Sequence, residues 1–198
     1  RPPRSTLFPY TTLFRSNNPL SAHWYCVDYD DAVYVVAEHF ESGKDVEYHS
    51  EAIKKKCDQI GWRRDNDGRI RALIDSAANQ KTLSSLKSVT ELFYDHGILV
   101  NPKVNKDLFS GIARVKEYLK NDRLYIFKTC TNLIRELKRY RWGDGDVPKK
   151  VDDHSLDELR YFIMSRPKPE KKDGYKSVIT IDKERLYRKI KRGRKNSR

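Results

Sequence analysis

The chain has 198 residues, a net charge of +13 and three cysteines. That length supports one well-buried core with room for a tail. No apolar run approaches the roughly 20 residues of a membrane span and no secretory leader is recognisable. Cys26, Cys57 and Cys130 lack paired spacing, so neither a zinc site nor a disulfide framework is suggested, and a reducing, intracellular setting is expected. The charge is local. Residues 166–198 hold 14 Lys/Arg against 4 Asp/Glu, and residues 1–16 hold three Arg and no acid, which leaves 24 of each sign in residues 17–165. A neutral body with a cationic tail suits a polyanionic partner gathered without specificity; a solubilising end is the alternative reading of the tail.

In chain order, residues 1–16 resemble, residue for residue, the translation of a short-read sequencing adapter. They are set aside from the fold as a tag would be, and the native sequence is expected to start near Asn17. Residues 21–28 and 32–40 are rich in strand formers and are joined across Asp30-Asp31, which predicts an antiparallel hairpin. Residues 50–61 carry Ile53, Cys57 and Ile60 at helical spacing, with Ser50 as a possible cap and Gly61 as the stop. Residues 69–75 form a short apolar run ending in Asp75, the pattern of a buried strand delivering a side chain to the carboxyl edge of a sheet. A helix follows over 82–96, with Leu83, Leu86, Val89 and Phe93 on one stripe, and then a brief strand over 98–100. Residues 107–119 read as a helix with Leu108, Ile112, Val115 and Leu119 inward. A strand over 124–127, a helix over 131–140 and a loop over 143–148 lead to a closing helix over 153–165. Pro167 and Pro169 break the pattern, and the tail beyond carries one possible short helix near 182–190. There is no repeat and no Gly-rich phosphate loop. The order predicts a mixed α/β architecture.

The closing helix opens on Asp153, His154 and Asp157, whose three- and four-residue spacings put all three on one face. Such a face can hold a divalent metal if a second carboxylate arrives from elsewhere. Alternatively it is an acidic first turn that complements the helix dipole, with Asp152 or Asp153 as cap. Asp75 is the natural second carboxylate. A carboxylate nuclease needs hard oxygen ligands around one or two Mg²⁺ or Mn²⁺ ions, roughly 3.5–4 Å apart, and no nucleophilic side chain. Other candidates read as structural: Asp65/Asp67 and Asp144/Asp146 as turn formers, His23, His39, His49 and His96 as lone histidines, and Trp24, Trp62 and Trp142 as core or rim aromatics.

From Asn17 to about Ser165 the ordered pieces are similar to the nuclease domain of the large terminase subunit, the DNA-packaging motor of tailed bacteriophages. They are Asn18-Pro19-Leu20-Ser21-Ala22, Ile74-Asp75-Ser76-Ala77, Gly97-Ile98-Leu99-Val100-Asn101-Pro102-Lys103-Val104-Asn105 and Gly111-Ile112. Leu133-Ile134-Arg135-Glu136-Leu137 with Tyr140 and Trp142 follows, then Asp153-His154 with Asp157 and Arg160-Tyr161. The resemblance implies an RNase H-like mixed sheet flanked by helices, with the first strand missing or replaced, over residues 17–165; from their charge, residues 166–198 are expected to be a basic, flexible tail. It implies an endonuclease cutting concatemeric double-stranded DNA at a two-metal carboxylate centre with Mg²⁺ or Mn²⁺. The implied partners are double-stranded DNA, the terminase small subunit and the portal protein, in the cytoplasm of an infected bacterium and with no membrane. Asp75 resembles the family's second acid and Asp157 the third, with His154 beside it as a metal-site or proton-transfer residue and Asp153 in reserve as a metal ligand. The first acid normally lies just before the Asn18-Pro19 pair, where this chain has adapter-like residues. Thr11-Thr12-Leu13-Phe14 suit a strand and are expected to fill that slot. Rival readings are another RNase H-like nuclease of the resolvase or transposase type, disfavoured because no Glu stands at the last acid, and a non-catalytic DNA-binding or portal-docking module.

Overall fold

The computed structural model describes residues 10–11, 19–79, 87–143, 147–149 and 151–166. Two three-stranded sheets are built from β1 (Tyr10–Thr11), β2 (Leu20–Val27), β3 (Val33–Glu41), β4 (Ile70–Ile74), β5 (Ile98–Asn101) and β6 (Leu124–Ile126). Their orders are β1-β4-β5 and β2-β3-β6. The expected hairpin is present: β2 and β3 pair antiparallel from Leu20↔Glu41 to Val27↔Val33, with an irregularity between Trp24 and Tyr25. Among the described residues the other strand pairs, β1–β4, β3–β6 and β4–β5, are parallel. β1 pairs with β4 through Tyr10↔Leu73 and Thr11↔Ile74 and lies beside β2. The expectation for the open slot thus holds at Thr11, with Tyr10 as its neighbour, while Thr12 to Phe14 fall outside the described residues.

The period-2 alternation of strands sorts the sheet residues onto two faces. Leu20, Ala22, Trp24, Ile70, Ala72 and Ile74 join Ile53, Phe93 and Ile98 in one core, against α1 (Val46–Gln59) and α2 (Val89–Asp95). Tyr25, Val27, Val33, Val35 and Leu73 join Tyr118, Leu133, Leu159 and Phe162 in the other, against α3 (Leu108–Lys120), α4 (Thr131–Arg139) and α5 (His154–Ser165). Parity then assigns Asp75 to the face of Leu73, beneath α5. Tyr25 stacks flat on Phe162, ring centroids 3.8 Å apart, which seats α5 on β2.

Three sequence expectations are corrected. α1 starts at Val46, capped by Asp45, whose carboxylate accepts from the Tyr48 N–H at 2.8 Å. Ser50 is inside that helix and donates its hydroxyl to the Val46 carbonyl. α2 starts at Val89, because Ser88 and Glu91 form a reciprocal capping box; residues 80–86, part of the expected helix, lie outside the described residues. In α3 the fully buried positions are Gly111 and Tyr118, while Leu119 stays 44% exposed. The reason is Gly111: a Cβ there would stand 2.2 Å from Cγ of Arg160 and 2.4 Å from its Cδ. The missing side chain makes a channel for the Arg160 stem, and α3 turns that face to α5. Arg166 is the C-cap residue of α5. Its guanidinium donates to Asp31 at 2.5 Å and also contacts the Tyr118 hydroxyl.

Gly111→Ala should therefore overpack the α3–α5 contact and lower stability by about 1–3 kcal/mol. Thermal unfolding checks it, and Arg160→Ala in the same chain should recover part of the loss; an unchanged melting temperature for Gly111→Ala would refute the packing argument.

Candidate active site

Asp75 follows the last residue of β4 and is 5% exposed. A short 3-10 turn, Ser76–Asn79, follows, and its Ala77 N–H donates to Asp75 Oδ1 at 2.8 Å. The same oxygen accepts from Lys106 Nζ at 2.5 Å, from the connection between β5 and α3. Lys106 also reaches the Ser76 hydroxyl, at 3.4 Å, and its ammonium stands 5.7 Å from the centre of the Tyr161 ring.

Asp157 occupies the first turn of α5. Its Oδ1 accepts from the Arg160 guanidinium at 2.7 Å, and both residues line a groove of about 210 Å³ between α3, α4 and α5. Arg160 lies 4.9 Å over the Tyr161 ring. Tyr161 is the meeting point. Burial pushes its phenol up, and the charges of Asp157 and Asp75 push it further in the same direction. The fold therefore brings Asp75 and Asp157, 82 positions apart in the sequence, into the field of one buried ring. His154 and Asp153 are half-buried at the start of α5. Among the described residues no group of three or more His, Cys, Asp and Glu side chains is arranged to hold a metal ion. Each of the two acids instead has its own cation. The sequence carries no Asp or Glu before Asp28, and Asp28 is spent on the hairpin turn, accepting from the N–H groups of Asp30 and Ala32. Among the described residues, no third carboxylate stands with Asp75 and Asp157 as a metal-holding group.

What holds α5 in place was not visible in the sequence. Its N-cap residue, Asp153, makes no side-chain capping bond, which corrects the reading of Asp152 or Asp153 as cap. The N–H groups of Ser155 and Leu156 donate instead to Glu136 Oε2 of α4, at 2.7 and 3.1 Å. One turn on, the fully buried Glu158 accepts from the His23 N–H and imidazole, at 2.8 and 2.5 Å, and from the Ser21 hydroxyl at 2.8 Å. His23 Nε2 meets Glu38 of β3 at 3.1 Å, and Glu38 accepts the Asn132 and Leu133 N–H groups that open α4. Burial alone pulls His23 down, but Glu158 and Glu38 outweigh it and hold the imidazole at about 9. Burial raises Glu38, and His23 together with the α4 N–H groups overcomes it, to about 2. For Glu136 burial wins, and its carboxyl is pushed up to about 7. The single signal for this network was three glutamates at inward positions of otherwise apolar patterns.

The chain matches the terminase RNase H-like domain family over residues 11–166, a span that includes Asp75, His154 and Asp157. Its fold is similar to the nuclease domain of the large terminase of phage P22, with a TM-score of 0.69, 20% identity and 84% of each chain covered. It is also similar to the large terminase of a thermophilic bacteriophage, solved with ATP-γ-S, with a TM-score of 0.63 and 23% identity over 82% of this chain and 40% of that one. The large-terminase nuclease domain of bacteriophage SPP1, solved with bound Mn, gives a TM-score of 0.51 and 14% identity, covering 78% of this chain and 82% of that one. No curated protein sequence matches the chain.

The buried network makes stability pH-dependent. His23, raised from 6.5 to about 9, contributes fully below pH 6.5 and is lost as pH rises through 9. Glu38, lowered from 4.5 to about 2, contributes fully above pH 4.5 and is lost as pH falls through 2. Glu136, raised from 4.5 to about 7, weakens the fold as pH climbs through that range. The melting temperature should peak between pH 4.5 and 6.5 and decline on the alkaline side, and Glu158→Ala should cost about 3–5 kcal/mol. NMR titration of the imidazoles checks the assignment; a His23 that deprotonates below pH 6.5 would contradict it.

Proposed function

Because the chain belongs to the terminase RNase H-like domain family, we propose that it is nuclease machinery of a large terminase. The reaction is hydrolysis of phosphodiester bonds in concatemeric double-stranded DNA at a two-metal carboxylate centre taking Mg²⁺ or Mn²⁺. Asp75 and Asp157 are two of its ligands, Asp153 is the reserve ligand, and His154 acts beside Asp157 in metal holding or proton transfer. The observation that carries the reading is that Lys106 joins Asp75, at the end of β4, to the Tyr161 ring while Arg160 joins Asp157, on the first turn of α5, to the same ring. Both acids are hard oxygen donors of the kind such ions select.

The remaining carboxylate belongs on the strand whose place beside β4 is taken by Tyr10–Thr11. We read residues 1–16 as non-native, so this sequence carries the family's second and third acids without the first. Lys106 and Arg160 meanwhile neutralise the two acids present, which lowers the pull on a divalent ion. The partners proposed are double-stranded DNA, the small subunit and the portal, in the host cytoplasm. The chain spans 40% of the large terminase of the thermophilic bacteriophage, so a motor role belongs to a longer protein. The cationic residues beyond Arg166 lie outside the described residues; their charge suits non-specific contact with DNA phosphates. The neutralised acids also favour a second reading, a DNA-binding module without catalysis.

The purified chain should cut DNA little or not at all with Mn²⁺, and rapid Mn²⁺-dependent cleavage would sink the claim of an incomplete centre. With the natural strand and its acid restored, cleavage should appear, and Asp75→Ala or Asp157→Ala should abolish it while DNA binding persists. Cleavage unaffected by both substitutions would remove these residues from the site, and no cleavage after restoration would favour the binding module. Deleting residues 167–198 should weaken DNA binding and flatten its dependence on salt, read by titration at several ionic strengths.

A further inference from the structure

We propose that Glu136 is a positioning residue of the candidate site, capping α5 from a neighbouring helix and so setting where His154 and Asp157 stand. The inference rests on the reading of those two as site residues. A helix leaves its first N–H groups without partners inside the helix, and normally the residue just before the helix satisfies one of them. In α5 that residue, Asp153, makes no such bond, and Asp152 before it enters with a positive φ of 50°. The partner comes from 19 positions upstream. Glu136 is 1% exposed, and its Oε2 takes both the Ser155 and Leu156 N–H groups. Its other oxygen, Oε1, has no hydrogen-bond partner, so this carboxyl group is committed to the α5 end alone.

The two capped residues lie between His154 and Asp157 on a single turn. A carboxylate held at this end also complements the helix dipole. Local packing does not supply a substitute, because Ser155 is small and its hydroxyl is shared with Ser21. Moving the Glu136 carboxyl therefore moves or frees the turn that presents the two site residues, while the rest of α5 stays anchored through Glu158 and the Tyr25–Phe162 stack. A residue that merely added stability would act on the whole helix at once.

Amide hydrogen exchange and ¹H–¹⁵N spectra of the chain as it stands separate the two cases, with Glu136→Ala, Glu136→Asp and Glu136→Gln compared. In Glu136→Ala, exchange at Ser155 and Leu156 should rise about tenfold beyond any change at Leu159 and Phe162, and the His154 and Asp157 amide signals should shift. Gln, which keeps the reach and one acceptor oxygen, should restore both readouts; Asp, one methylene shorter, should not. Exchange that rises uniformly along α5, exchange that does not change, or an Asp variant that matches wild type would each overturn the proposal. Neither readout involves metal or DNA, so failure of the cleavage reading and failure of this one are told apart.

Discussion

A closed ring of buried polar contacts carries the α3–α5 side of this fold. Glu38 of β3 receives the N-terminus of α4, Glu136 of α4 receives the N-terminus of α5, Glu158 of α5 binds His23 of β2, and His23 returns to Glu38. Each carboxylate faces either the positive end of a helix or a cationic imidazole, the partners that can offset the cost of burying a charge. Two helices and two strands are thereby tied at fixed depth and rotation. Apolar packing alone does not impose that, because it is non-directional.

The candidate site inherits its geometry from this ring. α5 is clamped at two adjacent points, its capped first turn and Glu158, and Asp157 lies between them. Asp75 reaches the same region because strand parity places it on the α5 side of the sheet, just past a β4 that is buried at four of its five residues. Gly111 admits Arg160, and Arg160 in turn holds the Asp157 carboxylate. Positions without any direct part in chemistry thus decide where the carboxylates sit.

The cations at the two acids describe the electrostatic state of the site. Lys106 and Arg160 stand against Asp75 and Asp157, and with two negative and two positive side chains the local balance is neutral. A third carboxylate would tip that balance to favour a divalent ion. The strand position beside β4 that Tyr10–Thr11 occupy adds no acid to this balance.

Much of this was legible in the residues. The β2–β3 hairpin, the delivery of Asp75 by a short apolar strand and the helix beginning near Asp153 follow from patterns local in sequence, which hydrophobic periodicity and turn chemistry report directly. The order of the family pieces pointed to the same domain that the fold displays. Helix starts were less legible: Asp45 won over Ser50 because a cap is decided by backbone geometry, which several polar residues can serve equally well in sequence. The roles of Glu38, Glu136, Glu158 and His23 were not legible at all. Their partners lie 15 to 137 positions away, and a lone Glu in an apolar stripe looks the same whether it faces solvent or a buried imidazole. By itself the sequence determined the elements, the two candidate acids and the absence of an earlier one, because these are local or compositional properties. Tertiary structure alone decided which carboxylates meet a cation and which receive a helix N-terminus, because those outcomes depend on through-space neighbours that no periodicity encodes.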